Sequence, residues 1–394
     1  MNILFIQGGS RLKLSDQGKW YTDPNFNEDV WKRYVELGDS LTILLRKEPK
    51  VYDDDMVKCK FNMIPVDMRI KVVPVDDVMR PMRNYFSLVI RRRVKQTIYE
   101  AVRQADKVII RSNSDYTYYC FKACMALNKP YLYEVTGFSY EGLYYQSFWG
   151  KLLAWKMEKR QKIMAKYADY ALYVTDNALQ ERYPSEGKML GCSDVALSNM
   201  DDSVISERLE RIQEHNGTWV LGTCGRVGDK NKGQHLVIKA MAELDRQGIK
   251  NLEYQLVGFG RQKNLKTLAE KCGVADRVKF LGGMPNSQVM AWYDHVDIYV
   301  QPSYSEGLSR AIIEAMSQAC PVVCSDAGGN GELIEQKYIF SRGDAFGLAK
   351  RLKLIMEKRS MQAAAHTNFK RSKDFEKSRL DGMRQAFLEE FVRG

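Results

Sequence analysis

No run of about 18 consecutive apolar residues occurs in the 394-residue chain, so no segment is expected to cross a bilayer as a helix. Histidine is scarce: His215, His235, His295 and His366 are isolated from one another. The eight cysteines form no pair of C-x2-C pairs. Cys120/Cys124 and Cys320/Cys324 are C-x3-C pairs inside apolar runs, which suits buried reduced thiols rather than zinc. Reduced thiols point to the cytoplasm. The opening run Met1–Gly9 is short for a signal peptide and has no basic leader; it reads as a strand ending in a glycine turn. Low-complexity tracts and short repeats are absent. So is a full G-x-G-x-x-G: Gly258-Phe259-Gly260-Arg261 is truncated, and Lys263 stands where that fingerprint needs a small residue. A nicotinamide enzyme is therefore disfavoured.

What the chain has is ordinary globular composition and an excess of positive charge. It is 45% hydrophobic and 28% charged, which excludes a mostly disordered chain. Its length fits two domains, or three. Lys and Arg number 60 against 49 Asp and Glu, a net charge of +11 with a pI near 9.1. Such an excess calls for a partner: nucleic acid, an anionic membrane or a phosphorylated ligand.

Short β-branched runs alternate with longer amphipathic stretches. Strands are expected at 2–6, 41–45, 70–73, 107–110, 131–134 and 170–174, then in a second series at 219–224, 253–257, 278–281, 297–300 and 321–324. Helical periodicity fills most gaps, as at 234–246, 262–272 and 311–318. Continuous apolar strands alternating with helices give parallel sheets covered on both faces. Two such series predict an α/β protein of two Rossmann-like domains facing a central cleft. The boundaries expected are 1–200 for the first and 203–372 for the second, with a polar, turn-rich break at 198–207.

Ligands of open α/β sheets sit beyond the carboxyl ends of the strands. After the strand at 219–224, Gly225-Arg226-Val227-Gly228-Asp229-Lys230-Asn231-Lys232-Gly233 offers cations and close backbone approach before a helix, a pattern that suits phosphate. After the strand at 297–300 comes Glu306-Gly307-Leu308-Ser309-Arg310, and Glu314 lies within the apolar run that follows. Eight helical residues place Glu306 and Glu314 about 80° apart, so both can line one side. Gly307, Leu308 and Ser309 are expected to present helix N-terminal amides to an anion. A carboxylate among Ala311–Ala315 needs a polar partner. After the strand at 321–324, Asp326 or Asn330 is expected to cap a helix opened by Gly328-Gly329.

Taken in order, Gly225-Arg226, Lys232-Gly233, Val257-Gly258-Phe259-Gly260, Phe280-Leu281-Gly282, Glu306-Gly307 with Glu314-Ala315, and Pro321-Val322-Val323 resemble the retaining glycosyltransferases of family 4, with the GT-B fold. The likeness covers 218–333. It implies sugar transfer from a nucleotide diphosphate sugar, UDP- or GDP-linked, with retention at the anomeric carbon and no metal or other cofactor. By this resemblance Arg226 and Lys232 bind the diphosphate, and Glu306 contacts the transferred sugar beside the amides of Gly307, Leu308 and Ser309. Glu314 accepts from the ribose, and Gly282, Gly283 and Met284 border the base. Gly8 and Gly9 match the glycine turn that approaches donor and acceptor. The last helix, about 373–394, is expected to cross back to the first domain. Many relatives carry a histidine in the loop equivalent to 134–142; here none lies there, and Thr136 or a nearby backbone group is the substitute. Asp53-Asp54-Asp55 satisfies D-x-D literally but reads as a solvated loop.

Two basic stretches, 80–103 and 150–166, carry much of the first domain's charge. Lys151, Trp155, Lys159, Lys162 and Lys166 share one helical face, which suits an anionic membrane surface on the cytoplasmic side and a lipid-linked glycan acceptor. The family resemblance implies transfer of a hexose-type sugar in bacterial surface polysaccharide synthesis (capsule, exopolysaccharide or O-antigen). The competing readings are a GT-B nucleotide-sugar epimerase, which the scarcity of histidine disfavours, a catalytically inert binding subunit, and a non-enzymatic basic binding protein. No nucleic-acid recognition motif supports a nucleic-acid partner.

Overall fold

The computed structural model describes residues 1–394 except Met82, Ala196 and Asn199. Asn199, part of the expected break at 198–207, thus lies outside the described residues.

Both sheets are built mainly on buried apolar runs. In the first, seven parallel strands lie in the order Ile70–Asp76, Ser40–Tyr52, Asn2–Ser15, Lys107–Arg111, Tyr131–Val135, Tyr170–Tyr173 and Lys188–Gly191. Trp20–Thr22 and Asn62–Met63 add two antiparallel strands. The second sheet is wholly parallel: Val278–Gly282, Leu252–Val257, Trp219–Cys224, Ile298–Gln301, Val322–Ser325 and Ile339–Phe340. Both follow doubly wound order, with chain progress reversing beside the first strand of each domain. That reversal opens a crevice at the strands' carboxyl ends.

The strand opening the chain corrects one expectation. Gly8-Gly9 does not end it; the strand runs on to Ser15. Ile6 faces Leu44 but Arg11 faces Arg46, so the residues between are looped out as an irregularity. The Gln7 side chain accepts from the Gly9 amide (3.0 Å), and the long partner strand then recaptures the chain.

The final helix, Lys377–Arg393, returns to the first sheet. Phe387 and Phe391 meet the Tyr170 ring edge-on at 5.2 and 5.5 Å, Arg384 donates to the Ser193 carbonyl, and Lys188 pairs with Glu390. The two basic stretches contain helices Leu88–Gln104 and Phe148–Lys166. The five residues expected on one face of the latter are all exposed. Beside them, Phe148, Trp149, Leu152 and Leu153 are exposed too, an apolar cluster hidden from the sequence by the helix's mixed pattern. No helix among the described residues is long and apolar enough to cross a membrane.

All eight cysteines are free, and both C-x3-C pairs are buried. In the acidic triplet, Asp53 and Asp55 are solvated but Asp54 is not: it is buried, accepting from Tyr21 at 2.9 Å and Lys19 at 3.1 Å.

Candidate active site

The crevice of the second sheet lies between the strands ending at Cys224 and Gln301. The loops that follow these strands meet there. The Tyr304 amide donates to the Asn231 carbonyl (2.7 Å). Gly233 adopts φ +61°, and a Cβ on it would stand 1.9 Å from the Pro302 carbonyl oxygen, so only glycine permits this packing. Lys232 is thereby aimed at Glu306: its Nζ donates to Oε1 at 2.8 Å. The same oxygen accepts from Gln301 (2.8 Å) and Ser303 (2.7 Å), both buried at the strand's end. Three donors on one oxygen fix the Glu306 carboxylate and leave Oε2 for a ligand. Arg226 is exposed and, among the described residues, has no ion-pair partner. Its loop runs beside the next, with the Val227 amide donating to the Phe259 carbonyl (3.0 Å).

The helix after Glu306 begins only at Arg310, capped by the Ser309 hydroxyl. Gly307 and Leu308 are therefore loop residues, and the helical count that put Glu306 and Glu314 on one side does not apply. Glu306 lines cavities of about 360 and 280 Å³. Glu314 lines a separate one of about 150 Å³ with Asn286, Met290 and Arg310. The one hydrogen bond of its carboxylate among the described residues comes from the Tyr293 hydroxyl at 3.3 Å. Burial pushes its carboxyl above the usual 4.5, while Arg310 and the Tyr293 hydroxyl pull it back.

Gly282 ends its strand and its carbonyl accepts from the Gly258 amide (2.7 Å). The exposed Phe259 ring covers Gly283, and Met284 packs against the core. The expected cap by Asp326 or Asn330 does not form. Gly328–Glu332 is a 3-10 turn; Asp326 instead accepts from the backbone and side chain of Arg342, and buried Asn330 donates to the Ser325 carbonyl.

The first domain closes on this site. A Cβ on Gly307 would come within 2.4 Å of the Thr136 carbonyl oxygen, so the two loops touch across the cleft. Thr136 stands in the stretch that lacks the family histidine, and its hydroxyl bonds that of Ser112 at 2.8 Å. Ser112 sits at φ +61°, an unfavourable conformation for a residue with a Cβ. Ser112 and Asn113 were not read as site residues from sequence; nothing in their side chains signals the strained turn after Arg111. Both line the 280 Å³ cavity with Glu306 and Gly307. Gly8 and Gly9 approach from the neighbouring strand, Gly8 against Ser114 and Gly9 lining an adjoining cavity.

Residues 206–372 match the family described as glycosyl transferases group 1. The chain as a whole has the GT-B fold. Protein CapJ of Staphylococcus aureus is 28% identical over 352 residues, covering 89% of this chain and 85% of that one. The putative colanic acid biosynthesis glycosyltransferase WcaL of Escherichia coli is 33% identical over 133 residues, about a third of each chain. Among solved structures, Anabaena HepE in complex with UDP shares 18% identity and a TM-score of 0.63, covering 99% of this chain and all of that one.

Proposed function

We propose that this chain transfers a hexose from a UDP- or GDP-sugar to a glycan acceptor during assembly of a bacterial surface polysaccharide, with retention at the anomeric carbon. The observation that carries the reading is the Lys232–Glu306 pair at the crevice of the second sheet, with exposed Arg226 on the same loop as Lys232 and Gly307 against Thr136. The names of CapJ's partial companions support the pathway: WcaL is a putative colanic acid enzyme and AmsK of Erwinia amylovora an amylovoran enzyme. HepE, solved with UDP and with UDP-glucose, supports a uridine nucleotide.

In this account the donor lies against residues 203–372 and the acceptor against 1–200, closed by the returning residues 373–394. Departure of the nucleoside diphosphate builds negative charge on phosphate oxygens. Arg226, Lys232 and the loop amides of Gly307 and Leu308 are positioned to stabilise it. This cationic site takes the part that a metal plays elsewhere, so transfer proceeds without one. Glu306, fixed through Oε1, turns Oε2 to the sugar hydroxyls, and Glu314 takes the ribose. Gly282, Gly283 and Met284 border the base, with Phe259 at their edge. The lipid-linked acceptor is presented at an anionic membrane on the cytoplasmic side by the helix Phe148–Lys166.

The test is the anomer first released when the enzyme hydrolyses an α-linked UDP- or GDP-sugar, read by proton NMR before mutarotation. Release of the α-anomer is expected. Release of the β-anomer overturns retention.

A further inference from the structure

The crevice of the first sheet holds a cavity of about 340 Å³ beside the site described above. Ser112 and Thr136 line both this cavity and the one that contains Glu306, so a molecule here reaches the transferred sugar over a shared wall. Three guanidinium groups converge on it: Arg33, Arg111 and, from the opposite domain, Arg310.

The wall's own carboxylates are already engaged. Asp23 accepts from the buried Lys13 ammonium at 2.6 Å. Asp194 takes Arg111 at 2.5 Å and has Arg384 at 3.7 Å. Arg111 is further held by buried Glu134, and Arg33 by Asp381 at 3.2 Å. Arg310 differs. Among the described residues it makes no ion pair; its Nη1 donates only to the Asn25 Oδ1, at 3.4 Å across the cleft. Glu314, one turn along the same helix, lies beyond ion-pair distance. One guanidinium is therefore left facing a polar cavity of sugar size, and a planar fork of this kind matches carboxylate or phosphate.

We propose that this cavity binds the terminal sugar of the acceptor, and that this sugar carries an acid group engaged by Arg310. The inference rests on the transfer reading above and adds the class of acceptor to it. The acid group is a carboxylate or a phosphate on the ring; both offer paired oxygens to one guanidinium. Arg310 reaches Asn25 across the cleft, so the acid group lies between the two domains.

Equilibrium binding of methyl β-D-glucuronide, glucose 6-phosphate and methyl β-D-glucoside to the full-length protein, with and without UDP, tests this. One or both acids are expected to bind about tenfold tighter than the neutral glucoside, a typical gain for one charge-assisted contact. The advantage should vanish in Arg310→Gln and persist in part in Arg310→Lys. The stronger of the two acids identifies the group. Equal affinity for all three, an advantage unchanged in Arg310→Gln, or no binding of either acid overturns the proposal. Hydrolysis of UDP- and GDP-sugars by the unmodified protein is measured alongside. Hydrolysis without acid preference removes this inference alone, whereas absence of hydrolysis removes the transfer reading.

Discussion

Glu306 and Glu314 are carboxylates eight residues apart, and their surroundings give them opposite energetics. Three donors converge on one oxygen of Glu306, whereas Glu314 is largely buried with one long hydrogen bond from a phenol. A raised carboxyl value in the folded state means that the protonated form is favoured there. That contribution to stability is complete below 4.5 and is lost as pH rises through the folded value. At neutral pH the fold thus carries the cost of a buried charge without a cation in contact. Glu314→Gln should melt at or above the wild-type temperature near neutral pH, while nucleotide affinity falls about tenfold. Calorimetric melting and nucleotide titration check both; a marked drop in melting temperature would show that Glu314 is structural. Glu314 was readable from sequence because a carboxylate in an apolar helix is conspicuous. Its separation from Glu306 was not, because the helix start depends on the Ser309 cap.

At the scale of elements, the parallel strands were legible because burial on both faces makes them continuous apolar runs. Trp219–Cys224 is recovered residue for residue. Short or exposed strands were missed: Trp20–Thr22, Asn62–Met63, Lys188–Gly191 and Ile339–Phe340 owe their extension to a neighbour rather than to their own pattern. Gly8-Gly9 misled for the same reason, since the pairing strand carries the chain through the irregularity. The meeting of loops across the cleft was also beyond sequence, because it joins residues 136 and 307. It yields a direct prediction. Gly307→Ala, whose Cβ would meet the Thr136 carbonyl oxygen, should push the two loops apart and lower turnover about 10²-fold, as a displacement of about 1 Å can. Steady-state kinetics with unchanged turnover would show that the contact is incidental.

At the scale of the molecule, the two domains are joined by polar contacts at the rim of the 360 Å³ cavity that Glu306 lines. Glu332 of the second accepts from the amides of Asp176 (2.7 Å), Asn177 (3.1 Å) and Ala178 (2.5 Å) at the start of a first-domain helix, and Arg371 pairs with Asp176 at 3.0 Å. The net charge of +11 is spread over several places: the Arg226–Lys232 loop, the arginines lining the first sheet's crevice and the exposed basic helices. Aromatic and aliphatic residues beside the lysines of Phe148–Lys166 favour a membrane surface over nucleic acid, since an interfacial helix needs both. Replacing Trp149 and Trp155 together by Ser should abolish co-sedimentation with phosphatidylglycerol vesicles while donor hydrolysis in solution continues. Wild-type co-sedimentation that ignores anionic lipid content would contradict the membrane contact.

Nucleotide-sugar cleavage at the Arg226–Lys232–Glu306 site is to be measured as nucleotide release from a panel of UDP-, GDP- and ADP-sugars. The wild type should release the nucleoside diphosphate from a UDP- or GDP-sugar, and release should fall about 10²–10³-fold in Arg226→Ala and in Lys232→Ala. Both variants should remain folded. No release from any donor, or equal release by the variants, would contradict it.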